Sequence, residues 1–195
     1  MNMKQTLAAV TLAIVGAASH AACMTDAQAV AMVDQYMAKA PAANPEGLSE
    51  DDGACSRAKV NSLLELRLGQ VIGYKAGLTA AAVQKRFGYD KPVWGKLYEG
   101  MILEDGATVE AAFGARPLYE ADMLVRVSSE AINQAKTPME VLQAIDQIIP
   151  FIELPDLVVL APPKLNGPAI SAINVGARLG VAGKPIAVPQ YRGER

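Results

Sequence analysis

Apolar positions change period along the chain, and each change marks a predicted element. Thr25-Asp26-Ala27-Gln28 has the spacing of a capping box, with Val30, Val33, Tyr36 and Met37 recurring behind it at helical steps. The pattern predicts a helix to about Ala40 with one apolar side. Residues 41–52 are rich in Pro, Ala, Gly and acids and read as a loop. Val60, Leu63, Leu64 and Leu68 restore the helical period and predict a second helix over residues 56–68. The run from Val71 to Leu78 reads as a strand, with Gly73 and Gly77 allowing close backbone approach. Thr79 is placed to cap a short helix to Arg86, and residues 92–100 read as a loop carrying the single tryptophan, Trp94. A strand-like stretch follows at residues 98–103, closed by the turn signal Glu104-Asp105-Gly106.

After Pro117 the period drops to two. Tyr119, Ala121, Met123, Val125 and Val127 share one face of a predicted strand, and Glu120, Asp122, Leu124 and Arg126 the other. Thr137-Pro138-Met139-Glu140 opens a helix that the apolar pattern carries to near Ile149. A short apolar strand is expected at residues 151–154, a further apolar run follows at residues 157–160, and Gly176, Gly180 and Gly183 read as turns. Helices and strands intermix with few βαβ units and no internal repeat, so the expected class is α+β.

The length of 195 residues and the 51% apolar content fit one packed domain and exclude disorder. A formal net charge of -2 with scattered basic residues gives no footprint for nucleic acid or an anionic membrane surface. Lys4, the apolar run from Leu7 to Ala18 and the small residues to Ala22 have the three parts of an exported leader. The expectation is a signal peptide over residues 1–22, a single domain over residues 23–195 and a periplasmic location. Cleavage directly before Cys23 would instead suggest a lipoprotein, but His20 stands where that signal wants an aliphatic residue. No apolar run is long enough for a transmembrane segment.

Export makes Cys23 and Cys55 a candidate disulfide, closing a loop of about 30 residues that the chain-entropy model values at roughly 3 to 4 kcal/mol. A catalytic thiol is the alternative. The one histidine, His20, lies in the leader, so a mature chain without it has no Ser-His-Asp, Cys-His or histidine-zinc chemistry. Carboxylates, lysines and oxygen-held hard cations remain. Glu120 and Asp122 project from one strand face about 7 Å apart, and Glu153 interrupts the apolar run Ile148-Ile149-Pro150-Phe151-Ile152. They read either as solvated and edge acids or as ligands sharing a cation. Lys75, between glycines in an apolar strand, reads either as a packed stem with its head in water or as a group holding a substrate carboxylate. Trp94 and Tyr98 read first as packing residues.

The segment Gly73-Tyr74-Lys75-Ala76-Gly77-Leu78-Thr79 closely resembles the G-Y-K-x-G-L-T segment of the 2-keto-4-pentenoate hydratases, within the fumarylacetoacetate hydrolase superfamily. The resemblance continues through residues 88–97, Arg116-Pro117-Leu118-Tyr119-Glu120-Ala121-Asp122 and residues 144–153, and more faintly to Asn174. It implies a helical N-terminal part followed by a rolled mixed β-structure. It also implies Mg²⁺ or Mn²⁺ held by Glu120, Asp122 and Glu153, with Lys75 binding a small 2-keto acid or moving its protons and Leu78 lining the pocket. The implied reaction adds water to a 2-hydroxydienoate. Asp122 stands where the family has a longer glutamate, Leu154-Pro155-Asp156-Leu157 replaces a D-S-R-like segment, and Ile173-Asn174-Val175-Gly176 is a reduced D-N-x-S-S. The chain stops at Arg195, before the family's C-terminal portion, so the expectation is a roll incomplete at its C-terminus unless a homo-oligomer completes the pocket. Two functions follow: a metal-dependent hydro-lyase, or an exported, catalytically degenerate protein that binds small acids or metal.

Overall fold

Two capping boxes establish the helical layer. In the computed structural model, which describes residues 23–189, α1 spans Asp26–Met37. Thr25 Oγ1 accepts the Gln28 N–H, and the Gln28 side chain accepts the Thr25 N–H. The buried stripe is Ala29, Met32, Val33 and Tyr36; Val30 and Met37 are exposed, correcting the expected face by about one residue. α2 spans Glu50–Leu68, beginning six residues before the predicted start. Ser49 and Asp52 form its capping box, and the acids that read as loop are its first turn, where they complement the positive helix end. The expected leader, residues 1–22, lies outside the described residues.

β1 (Val71–Gly77) turns through α3 (Ala81–Arg86) into β2 (Val93–Tyr98), its antiparallel partner. α3 starts from Ala80 with no side-chain cap, so Thr79 does not serve as one. Residues 93–98 are strand rather than loop. Val93, Gly95 and Tyr98 are buried while Trp94 is exposed, and a glycine at the middle inward position conceals the alternation.

The second sheet contains β3 (Ile102–Leu103), β4 (Glu120–Val127), β5 (Ile145–Leu154) and β6 (Leu179–Ala182) in the order β3-β6-β5-β4. β3 and β6 are parallel, the other pairs antiparallel, and β7 (Ile186–Ala187) adds to β5. α4 covers only Pro138–Ala144, so the helix predicted to continue to Ile149 gives way to strand at Ile145. Pro150 is tolerated in β5 because its backbone faces the gap between β6 and β7, where its carbonyl accepts the Gly183 N–H and no ladder partner needs a donor from it. Residues 157–160 join no sheet ladder. They cross the core beside Ala42, which donates to Val158 O and accepts from the Leu160 N–H.

α5 (Gly167–Ala172) packs on α2 where Gly53 meets Pro168; a Cβ on Gly53 would lie 2.7 Å from the Pro168 carbonyl oxygen. Val33, Leu64, Tyr98, Val158 and Val159 form the most deeply buried part of the core. Gly180 lies inside β6 rather than in a turn, because the Phe151 ring covers it. The class is the expected mixture of helix and sheet. Among the described residues no helix is long and apolar enough to cross a membrane.

Candidate functional site

β1 alternates strictly. Ile72, Tyr74 and Ala76 face outward, and Val71, Gly73, Lys75 and Gly77 face inward. On the outer side Tyr74 meets the Trp94 ring edge to face at 5.9 Å, and the Arg57 guanidinium lies 3.8 Å from its centroid. Trp94 is therefore a surface packing residue. Lys75 points to the other side, where it forms an ion pair with Glu153 of the second sheet.

Glu153 reaches that position because β5 alternates too, with Phe151 and Glu153 buried and Ile152 exposed. In register it stands opposite Glu120 on β4 and Gly180 on β6, and Asp122 stands opposite Phe151. Glu120, Asp122, Phe151 and Glu153 consequently share one sheet face. The Lys75 and Glu153 side chains are 11% and 7% exposed. Burial pushes the Glu153 carboxyl above the usual range; Lys75 opposes this, while the charges of Glu120 and Asp122 push it further up. Glu120 and Asp122 themselves are exposed.

These residues offer a hard, all-oxygen donor set, and the Lys75 ammonium already stands as a cation on Glu153. The donor chemistry and shared face fit a divalent cation. As placed, the acids do not converge: Asp122 turns toward the Met123 N–H, and among the described residues no three Asp, Glu, His or Cys side chains cluster to hold a metal.

Asn174 supports the site from behind and is only faintly visible in the sequence. Its Oδ1 accepts the Lys96 N–H at 2.7 Å and its Nδ2 donates to the Lys96 carbonyl at 2.9 Å, extending β2 by a side-chain mimic of a strand. Asn174, Val175 and Gly176 all have positive φ, of 54°, 55° and 65°. The turn fits because Gly95 and Gly77 lack side chains; a Cβ on Gly95 would lie 2.6 Å from the Asn174 carbonyl oxygen. Gly95 is the register partner of Lys75. Leu78 also has positive φ, 51°, is buried in the main core, and its carbonyl accepts from Gln84 Nε2. For a branched side chain that backbone is strained, a feature found disproportionately at functional sites.

A second polar centre went unread in the sequence. Asp156, fully buried, accepts the N–H groups of Ala115 and Arg116 and pairs with Arg178 at 3.4 Å. Arg178 donates to the carbonyls of Phe113 and Tyr36 and stacks on the Tyr36 ring. Burial is the main cause that pushes the Tyr36 hydroxyl up to about 12. The local signal was a single acid between Pro155 and Leu157 in an apolar run, which alone does not distinguish a buried acid from a surface turn. Cys23 and Cys55 are bonded, with Cα atoms 5.6 Å apart, and fasten the segment before α1 to α2.

No family model matches the chain. It is 32% identical over 104 residues to the 2-keto-4-pentenoate hydratase of Paraburkholderia xenovorans (strain LB400), covering 53% of this chain and 39% of that protein. It is 29% identical over 118 residues to 2-keto-4-pentenoate hydratase 1 of Dechloromonas aromatica (strain RCB), covering 60% and 45% respectively. Its fold is similar to that of 4-oxalocrotonate decarboxylase from Pseudomonas putida G7 complexed with magnesium and adipate. That likeness has a TM-score of 0.73 at 21% identity and covers 85% of this chain and 66% of that one. The complex of the same enzyme with calcium and acetate gives a TM-score of 0.69. The matched stretches thus span less than half the length of these curated relatives. The resemblance to 2-keto-4-pentenoate hydratases therefore holds in named relatives over about half of this chain.

Proposed function

We propose that the chain is a divalent-metal-dependent hydro-lyase acting on a small 2-keto acid of the 2-hydroxydienoate type. The observation that carries this reading is the meeting of Lys75 with Glu153 across two sheets, directly opposite Glu120. The named hydratase relatives and the magnesium- and calcium-bound structural neighbour support it. Glu120, Asp122 and Glu153 would hold Mg²⁺ or Mn²⁺, which when bound supplies Lewis-acid stabilisation of an enolate. Lys75 Nζ binds the substrate carboxylate or hands a proton to the dienoate carbon chain. The net change moves the C2 hydroxyl proton to the distal carbon, giving a conjugated ketone. Water then adds its oxygen at C4 and its proton at C3. Leu78 lends an apolar wall beside Lys75.

A second reading is an exported, catalytically degenerate protein that binds small acids or metal. It is favoured by one observation: the three acids do not converge among the described residues. Export to the periplasm stays part of both readings, on the strength of the leader pattern and the bonded cysteines. We further propose that the chain assembles as a homo-oligomer. Following the ultraviolet absorbance of 2-hydroxypenta-2,4-dienoate with Mg²⁺, Mn²⁺ or chelator decides between them. Metal-dependent loss of the chromophore, abolished in Glu153→Gln, is the expected result; no turnover with any metal would sink the hydro-lyase and leave the binding protein.

A further inference from the structure

Lys75 has a contact that goes beyond substrate binding. It is a tethered cation, nearly as buried as its partner, placed on the carboxylate that the metal reading needs most. Glu153 is the one buried acid of the three; Glu120 and Asp122 are exposed to water. Beside Glu153 stand Gly180 on β6 and Phe151, neither of which offers a charge. Lys75 is therefore the only cation paired with Glu153 among the described residues.

A carboxylate oxygen that accepts from an ammonium is screened from a second cation. Two positive charges a few ångströms apart in a site of low dielectric repel strongly. Lys75 has somewhere to go. Its four-carbon stem is flexible, and Glu120 lies across the strand pair from Glu153. β1 itself is fixed by the hairpin and by the Asn174 clamp on Lys96, so the change is confined to the side chain.

We propose that Lys75 is a built-in competitor for the divalent cation at Glu153, so that cation binding and release of the Lys75 ammonium are a single coupled event. The inference rests on the metal reading above. It gives an order to the site: the lysine becomes free to meet a substrate carboxylate only once a cation has taken its place on Glu153. Asp122, now turned to the Met123 N–H, rotates in the same event.

The test is Mn²⁺ binding to the wild-type chain, read from the loss of the free aqueous Mn²⁺ spin-resonance signal. Lys75→Gln, Lys75→Arg and Lys96→Gln are compared, with circular dichroism melts to check folding. Lys96 pairs with Glu65 and serves as the control for a general loss of positive charge. The second readout is acetylation of Lys75 by an amine-reactive ester, measured by mass spectrometry with and without Mn²⁺ or Mg²⁺. Competition predicts that Lys75→Gln tightens Mn²⁺ binding by about tenfold or more, that Lys75→Arg and Lys96→Gln do not, and that either cation raises Lys75 acetylation in the wild type. Equal affinity in wild type and Lys75→Gln overturns the competition and leaves the metal reading intact. Tighter binding without any rise in acetylation also overturns it, since only a distant charge effect would remain. Absence of binding in every variant overturns the metal reading and the competition together. If Lys75→Gln does not fold, the wild-type acetylation result decides alone.

Discussion

Lys75 and Glu153 expose only 11% and 7% of their side chains, so each depends on the other for the solvation that water would otherwise supply. Removing one partner leaves a buried charge, whereas removing both leaves two neutral groups. Lys75→Met and Glu153→Gln are each expected to lower stability by about 3 kcal/mol. The double variant should lie within about 1 kcal/mol of the wild type, because the penalty arises from the unpaired charge and not from the loss of the pair. Urea unfolding of the four proteins in chelator measures the cycle. Losses that simply add would show that the two side chains do not meet in solution.

The hairpin that carries Lys75 owes its position to a neighbouring turn. Asn174 supplies two hydrogen bonds to Lys96, and Gly95 and Gly77 leave room for residues 174–176. Asn174→Ala is expected to cost about 2 kcal/mol, since it leaves the Lys96 backbone pair unsatisfied beside the core. Amide exchange should quicken selectively in β1 and β2; uniform quickening along the chain would contradict a local clamp. These elements also show what the sequence made legible. β1 is readable because apolar residues flank its glycines, but β2 places a glycine at its central inward position and so loses its period. The start of β5 is hidden because Ile148 and Ile149 extend the helical pattern of α4 as readily as they begin a strand. The same ambiguity hides the site. Spacing puts Glu120 and Asp122 on one face, and Glu153 stands out as an acid inside an apolar run, but that Glu153 lies opposite Glu120 follows only from the β4–β5 register. At the junction of α4 and β5 the electrostatics give a pH prediction. Glu140 accepts the Lys136 and Thr137 N–H groups, and Asp146 is paired with Arg126; both carboxyls are held below their usual values, chiefly by those hydrogen bonds. A carboxyl lowered in the folded state contributes stability above its unfolded value, and that contribution fades as pH falls through the folded one. Amide-exchange protection of α4 should therefore be full at about pH 6 and reduced at about pH 3. Protection unchanged over that range would mean the capping box does not depend on charge.

Across the whole molecule, contacts distant in sequence join three bodies: the α1–α2–α5 layer, the β1–β2 hairpin and the larger sheet. Lys75 with Glu153 ties hairpin to sheet, Asn174 ties the hairpin to the segment leading into β6, and Arg178 with Asp156 ties that segment to α1 and the loop at residues 113–116. The disulfide differs in kind. It fastens Cys23 to α2, where Met24 N–H also donates to Ser56 Oγ and Lys59 pairs with Asp26. Those contacts hold the same two segments without passing through the sulfurs, so the bond is expected to act mainly by restricting the unfolded chain over its 32-residue separation. Replacing both cysteines by serine is expected to lower stability by about 3 kcal/mol while leaving the folded arrangement of Lys75 and Glu153 as it is. Thermal or urea unfolding gives the first quantity and Mn²⁺ affinity of the folded double variant gives the second. A variant that lost cation affinity while still folded would show that the disulfide shapes the native site, and the division between unfolded-state restraint and native-state clamps would fall.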